Sequence, residues 1–197
     1  DGRFSSIRTS ETNLGNFICD ILLAACNGDV TLLNSGTLRS DRIHTAGEFS
    51  MRDLVTILPM LDSLCVLEVT GKKLLAALEN GVSQYPKLEG RFPQVAGMQF
   101  LFNPDLPPGS RIYKDVVKVG DEYLDEDANY RLVTKAYMRQ GKDGYDMLID
   151  CPVLFKMTNS AQCFQQPFRT ISTPFKPVWE NPGGTLPTDS RFCYSQE

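Results

Sequence analysis

Residues 63–82 read SLCVLEVTGKKLLAALENGV and carry two different hydrophobic patterns in succession. The run SLCVLEVT is short, apolar and rich in β-branched residues, which is typical of a strand. In GKKLLAALENGV, apolar side chains recur on one helical face at Leu74, Leu78 and Val82. Thr70 is placed to cap that helix. The stretch therefore predicts a strand that passes directly into an amphipathic helix.

The alternation of strands and helices extends towards the amino terminus. The run NLGNFICDILLAACNG has apolar residues at helical spacing, with Asn13 available as its cap and Asn27 as its stop. The run DVTLL predicts a strand. SMRDLVTIL predicts another helix, because Ser50 and Asp53 have the spacing of a capping box.

Three β-prone runs follow the central helix, and turn-rich segments separate them. They are VAGMQFLF, RIYKDVVKV and NYRLVTKAY. Helices early in a chain and antiparallel strands later are typical of an α+β fold. We therefore predict a single α+β domain of mixed helices and β-sheet over residues 1–150.

Residues 151–197 differ in composition from this domain. They contain six of the twelve prolines, so we predict a mostly irregular, Pro-rich tail with a short helix near residues 161–165. A linker is the alternative. Phe164, Phe168 and Trp179 are too apolar for a solvated linker, which favours a tail packed on the domain.

Composition and charge narrow the class of partner. The 197 residues carry a net charge of −4, with a pI near 5.1, whereas proteins that bind a phosphate backbone present clustered Lys and Arg. We therefore predict no nucleic-acid partner. No apolar run approaches the ~18 to 20 residues that cross a bilayer, which predicts no membrane segment in this chain.

Few residues are suited to catalysis or metal binding. His44 is the only histidine, and one imidazole without neighbouring ligands forms neither a two-metal centre nor a catalytic triad. The six cysteines show no C-x-x-C spacing, which argues against a zinc site. Cys19 and Cys26 lie about 10 Å apart along a predicted helix, too far for a disulfide. The residues predict free thiols and a binding domain with no catalytic residue, metal ligand or cofactor of its own.

Five motifs, in this order, resemble the C-terminal, substrate-binding domain of the 5'-nucleotidase family: RTSETNLGNFICD, LLNSGTLRSD, FSMRDLVTILPM, LEVTGKKLLAALENG and YMRQGKDGYDML. The resemblance covers residues 3–148. It implies an N-terminal metallophosphoesterase domain in cis, in which His, Asp and Asn side chains hold two divalent metal ions. It also implies a nucleoside monophosphate or a related phosphoester as the substrate.

The resemblance implies substrate-binding roles for six residues: Arg8, Asn34, Arg39, Met60, Tyr137 and Asp143. The first three reach the substrate in the family, and this is chemically apt because guanidinium forks suit phosphate oxygens and an Asn amide both donates and accepts. From the residues alone, an ordinary ion pair with a neighbouring Asp is the alternative for each arginine. The small-residue turn SGT after Asn34 is expected to let the backbone approach a ligand.

Met60 and Tyr137 match the two aromatic residues that sandwich the base in the family, and Asp143 matches an aspartate that contacts the nucleoside. Tyr137 keeps an aromatic face, whereas Met60 covers a ring more loosely. The substrate is therefore either a nucleotide held on one aromatic wall or another phosphoester, such as a sugar phosphate. A core residue is the alternative for Met60.

These features predict the nucleotide-recognition domain of a metal-dependent, 5'-nucleotidase-like phosphoesterase. Hydrolysis in the intact enzyme would use metal-activated water in the N-terminal domain, so this chain alone is expected to be inactive. A non-catalytic ligand-binding module is the alternative. Many family members are secreted or periplasmic, but secreted animal relatives carry cysteines where this chain has Ser10 and Thr12. That difference favours a cytoplasmic protein.

Overall fold

The computed structural model describes residues 1–45, 47, 49–60, 62–156 and 192–194. These residues form the helices α1 (Phe4–Ile7), α2 (Asn13–Cys26), α3 (Met51–Ile57), α4 (Gly71–Val82) and α5 (Ala136–Arg139). They also form the strands β1 (Val30–Asn34), β2 (Leu64–Thr70), β3 (Pro93–Ala96), β4 (Met98–Phe102), β5 (Lys118–Val119), β6 (Glu122–Tyr123), β7 (Asn129–Lys135), β8 (Val153–Lys156) and β9 (Phe192–Tyr194).

The three longer helices begin at side chains that accept hydrogen bonds from the first turn. Thr70 caps α4, and Ser50 and Asp53 form the capping box of α3, so both predictions are confirmed. Helix α2 differs. Its cap is Thr12, which has an extended backbone, whereas Asn13 is already helical, so the predicted cap was one residue too late.

The later strands are interrupted where the sequence predicted continuous runs. VAGMQFLF forms two strands, β3 and β4, because Gly97 has a φ of +73° and turns the chain from one sheet into the other. RIYKDVVKV contributes the short strand β5, since Lys114–Val116 is a 3-10 turn. NYRLVTKAY leaves the sheet after Lys135, and Tyr137 therefore lies in α5.

Two sheets organise the domain. The larger has the order β3-β1-β7-β2-β8, in which β1 and β7 are parallel neighbours and the other pairs are antiparallel. The smaller has the order β6-β5-β4-β9, with β9 parallel to β4. The predicted α+β fold is confirmed.

Strand β8 lies beyond residue 150 and pairs with β2 as an outermost strand of the larger sheet. The first part of the predicted tail therefore contributes to the main sheet. Apart from β9, the rest of the tail lies outside the described residues, and so does the helix predicted near residues 161–165.

Apolar side chains cover both faces of the larger sheet. Along β2 they alternate, so that Leu67 packs in a cluster with α4 and Tyr145, whereas Val66 packs in a second cluster with α2 and α3. Tyr145 is fully buried, and its hydroxyl donates to the Arg91 carbonyl at 2.7 Å. The helices are thus fixed on opposite sides of one sheet, which leaves the ends of its strands to form a site.

Cys26, Cys65 and Cys151 are buried free thiols, as the sequence predicts for them. Burial raises the pKa of Cys65 to about 11, so this thiol stays protonated and unreactive at neutral pH. The side chains of Cys163 and Cys193 lie outside the described part of the chain. Within that part, no helix has the length and apolar character needed to cross a membrane.

Candidate functional site

One edge of the larger sheet brings four segments of the chain together. Because β1 and β7 are parallel, their last residues, Asn34 and Lys135, lie at the same edge. Strand β2 is antiparallel to β7 and pairs Leu64 with Lys135, which places the preceding Asp62 there as well. Strand β3 is antiparallel to β1, so residues 89–92, which lead into β3, also reach this edge.

Asp143 accepts hydrogen bonds from two other predicted site residues. The Asn34 amide nitrogen donates to Asp143 Oδ2 at 2.6 Å, and the Tyr137 hydroxyl donates to Asp143 Oδ1 at 2.9 Å. The Thr37 hydroxyl donates to Asn34 Oδ1 at 2.7 Å and so turns the amide nitrogen of Asn34 towards Asp143. Asn34, Tyr137 and Asp143 therefore form one network.

The backbone of Asp143 is held in a conformation that few residues adopt. Its φ of 56° and ψ of 23° are left-handed, and the following Gly144 has a φ of +80°. Asp tolerates this region better than most residues do. The Asn80 amide donates to the Asp143 carbonyl at 3.0 Å. The turn thus presents the carboxylate in one defined direction.

The small-residue turn Ser35–Thr37 packs against protein rather than opening to the outside. The Gly36 amide donates to the Gly90 carbonyl at 2.9 Å, and a Cβ on Gly36 would lie 3.0 Å from Gly90 Cα. Ser35 and Thr37 are buried. The sequence predicted that a ligand would approach this turn closely. Residues 89–92 make that close approach instead, which explains why the turn consists of small residues.

Arg8 and Arg39 place two positive charges near this network. Arg8 donates to the Leu88 carbonyl at 2.9 Å, and its guanidinium carbon lies 4.0 Å from the centre of the Phe4 ring. Burial lowers the pKa of Arg8, and the like charge of Arg39 lowers it further. Neither arginine forms a direct ion pair among the described residues, although the charges of Asp41 and Asp143 favour the charged form of Arg8. Two neighbouring guanidinium groups can bind an anionic ligand.

Lys135 and Asp62 belong to the same edge, although sequence analysis did not select them. The Lys135 ammonium lies 2.8 Å from Asp62 Oδ2 and 4.7 Å from the centre of the Tyr137 ring. Burial lowers the pKa of Lys135, and the hydrogen bond with Asp62 opposes that shift. Burial, followed by the hydrogen bond to Asp143, raises the pKa of Tyr137. The signal in the sequence was a lysine at the end of an apolar strand, two positions before Tyr137.

Met60 lies between α3 and β2. Half of it is exposed (50%), which excludes the alternative of a core residue. It precedes Asp62, the ion-pair partner of Lys135, by two positions. No group of three or more His, Cys, Asp or Glu side chains suited to a metal ion occurs among the described residues.

Known proteins share this domain. Residues 1–150 match the family described as 5'-nucleotidase, C-terminal domain. A trifunctional nucleotide phosphoesterase protein of Bacillus subtilis (strain 168) is 33% identical over 157 residues, which cover 76% of this chain and 11% of that protein. The 5'-nucleotidase of Diplobatis ommata is 32% identical over 165 residues, which cover 75% of this chain and 29% of that protein.

Solved structures agree with these sequence matches. The crystal structure of a 5'-nucleotidase precursor from Thermus thermophilus has a TM-score of 0.81 and 29% identity, and the match covers 100% of this chain and 38% of that one. The NAD nucleotidase of Haemophilus influenzae has the same fold, with a TM-score of 0.72 at 21% identity, and the match covers 98% of this chain and 36% of that one. The chain therefore spans between 11% and 38% of the length of these four relatives.

Proposed function

The chain belongs to the 5'-nucleotidase C-terminal domain family, and from this we propose that it recognises the substrate of a metal-dependent enzyme that hydrolyses nucleoside monophosphates. The observation that carries the proposal is the hydrogen-bonded network of Asn34, Tyr137 and Asp143 beside Arg8 and Arg39. The network joins an aromatic ring, a carboxylate and a cationic region, which are complementary to the base, the sugar hydroxyls and the phosphate of one ligand.

Each part of the ligand has a group to meet it. Phosphate oxygens bind near the guanidinium groups of Arg8 and Arg39. Asp143 accepts one hydrogen bond at each oxygen from the protein, and a carboxylate can accept about four, so it retains capacity for nucleoside donors. The partly exposed ring of Tyr137 provides a stacking surface for the base.

The hydrolytic step belongs to a second domain of the same protein. Attack on phosphorus requires a water molecule activated by divalent metal ions in the family's N-terminal domain. The described residues of this chain do not fit such a centre, because they contain no cluster of three metal-ligand side chains. We therefore assign this chain binding and orientation of the substrate, and no step of the reaction.

Catalytic inactivity of the chain alone is directly testable. The purified 197-residue chain is expected to release no phosphate from AMP with Mg²⁺, Mn²⁺, Co²⁺ or Zn²⁺, as measured by a colorimetric phosphate assay. A commercial phosphatase added to a parallel sample controls for detection. Phosphate release that depends on the metal and survives repurification of the chain would refute the assignment of hydrolysis to another domain.

Two substitutions with opposite selectivity test the recognition role. Tyr137→Ala is expected to weaken adenosine binding by ~1 to 3 kcal/mol, the usual contribution of a base stacked on an aromatic ring, with no change for inorganic phosphate. Arg39→Ala is expected to weaken phosphate binding and to leave adenosine binding nearly unchanged. Isothermal titration calorimetry at high ligand concentration measures all four affinities.

Tyr123→Ala is the matched control. Tyr123 also has a lysine over its ring, with Lys118 Nζ 5.1 Å from the centre, but it is an exposed residue of β6, outside the site.

Because Met60 is not aromatic, a sugar phosphate is the second candidate ligand. If Tyr137→Ala leaves adenosine binding unchanged while Arg39→Ala abolishes binding of ribose 5-phosphate, the sugar phosphate replaces the nucleotide as the proposed substrate.

A further inference from the structure

We propose that Lys135 and Asp62 are positioning residues that hold the ring of Tyr137 and the loop of Met60 in the arrangement that binds the base. The inference rests on the proposed function, since it concerns the same nucleoside. Neither residue was among the six candidates that the sequence indicated.

The ammonium group of Lys135 has two partners at the sheet edge. Its nitrogen lies 2.8 Å from Asp62 Oδ2 and 4.7 Å from the centre of the Tyr137 ring. Only 4% of Lys135 is exposed. Among the described residues, Asp62 is the sole hydrogen-bond partner of that nitrogen. The charge is therefore sheltered from water and directly contacts one carboxylate and one aromatic face, and the negative charge of Asp143 also favours it.

Burial makes these two contacts matter. A buried ammonium loses its hydration, and the loss is offset only where good partners replace the water. Cation–π attraction is also stronger when the cation is desolvated than at an exposed site. Any rotation of the Tyr137 ring away from Lys135 would give up that attraction, so the lysine restrains the ring.

Tyr137 is thereby fixed at two points. Lys135 lies over a face of the ring, and the hydroxyl donates to Asp143 Oδ1 at 2.9 Å. Since the cation covers one face, the base of a nucleoside stacks on the other. This arrangement differs from a base held between two aromatic rings, because one wall of the site is supported from behind by a charge.

Asp62 extends the restraint to the loop that carries Met60. The two residues lie two positions apart between α3 and β2. Asp62 is 73 positions from Lys135 in sequence, and the ion pair adds a side-chain attachment to the end of β7 beside the backbone hydrogen bond from the Ala136 amide to the Ser63 carbonyl at 2.8 Å. The pair therefore restrains the chain two positions after the half-exposed Met60.

A double-mutant cycle on adenosine binding tests the pair. Lys135→Met and Asp62→Asn are each expected to weaken adenosine binding to the 197-residue chain about fivefold, equivalent to about 1 kcal/mol. The double variant is expected to be no weaker than either single variant, because the two residues act as one unit. Binding of inorganic phosphate should stay within about twofold of the parent. Lys135→Arg, which keeps the charge, should retain adenosine binding.

Lys114→Met is the matched control, because Lys114 forms an exposed ion pair with Glu126 at 3.4 Å. If the fold-loss of adenosine affinity in the double variant equals the product of the losses in the two single variants, the coupling between Lys135 and Asp62 is refuted. Equal losses of affinity for adenosine and phosphate would show a general structural role instead.

If Lys135→Met does not fold, Asp62→Asn and Lys135→Arg decide the question. If Tyr137→Ala weakens adenosine binding but Lys135→Met does not, this inference fails and the proposed function stands; if neither does, the proposed function fails.

Discussion

Replacing Asp143 with alanine is expected to weaken adenosine binding about a hundredfold, or about 3 kcal/mol. The carboxylate is the proposed acceptor for the nucleoside, and hydrogen bonds to charged groups contribute about 1.5–3 kcal/mol each. Its removal also leaves the Asn34 amide and the Tyr137 hydroxyl without their shared acceptor, which lies 2.6 Å and 2.9 Å from them. The ring that stacks on the base then loses one of its restraints. Calorimetry with adenosine measures the change.

Asp143→Asn separates the loss of the carboxylate from backbone strain. Alanine at a φ of 56° is strained, whereas asparagine tolerates the left-handed region. Asparagine keeps one acceptor but places its amide nitrogen against a second donor, so adenosine binding should still fall, by about tenfold. Asp146→Ala, an exposed aspartate in the same loop, should bind as the parent does. Parent-like binding by both Asp143 variants would remove this residue from the proposed site.

Gly97→Ala is expected to lower the free energy of unfolding by about 3 kcal/mol. Gly97 has a φ of +73°, a region that L side chains rarely adopt. An added Cβ would also lie 2.2 Å from the Asp29 carbonyl oxygen. The Asp29 backbone cannot move away freely, because its amide donates to the Arg131 carbonyl at 2.9 Å. Urea unfolding followed by circular dichroism measures the loss.

Gly109→Ala distinguishes the steric contribution from the backbone contribution. Gly109 has a φ of +91°, and no atom of the described residues lies within 4 Å of an added Cβ. The free energy of unfolding of the Gly109→Ala variant should therefore fall only by the cost of the unfavourable backbone conformation, about 1 kcal/mol. Equal losses in the two variants would show that the contact with Asp29 relaxes without cost.

Interruptions in the later strands show where local patterns stop being informative. VAGMQFLF looks like one strand because its apolar character is continuous, and only the path of the chain at Gly97 assigns its halves to different sheets. Tyr137 looks like a strand residue for the same reason, yet it follows the end of β7 in a short helix. Its position in the helix is what allows its hydroxyl to reach Asp143.

Features that depend on residues a few positions apart could be determined from the sequence by itself. The Thr70 cap and the Ser50 and Asp53 capping box are local patterns, and the structure contains both. The α+β class follows from the order of such elements along the chain. The motifs also indicated six candidate site residues, because a family's binding residues remain attached to recognisable local sequence.

Contacts across the fold were decided by the tertiary structure alone. Asn34 and Asp143 are 109 positions apart, and Asp62 and Lys135 are 73 apart. No local pattern relates such residues, since their distance depends on the order and direction of β1, β7 and β2 within the sheet. The same holds for the burial of Lys135, because a lysine at a strand end is exposed or covered according to which loop packs over it. The partners of the site residues follow from how the strands assemble, and the sequence of each strand is consistent with several assemblies.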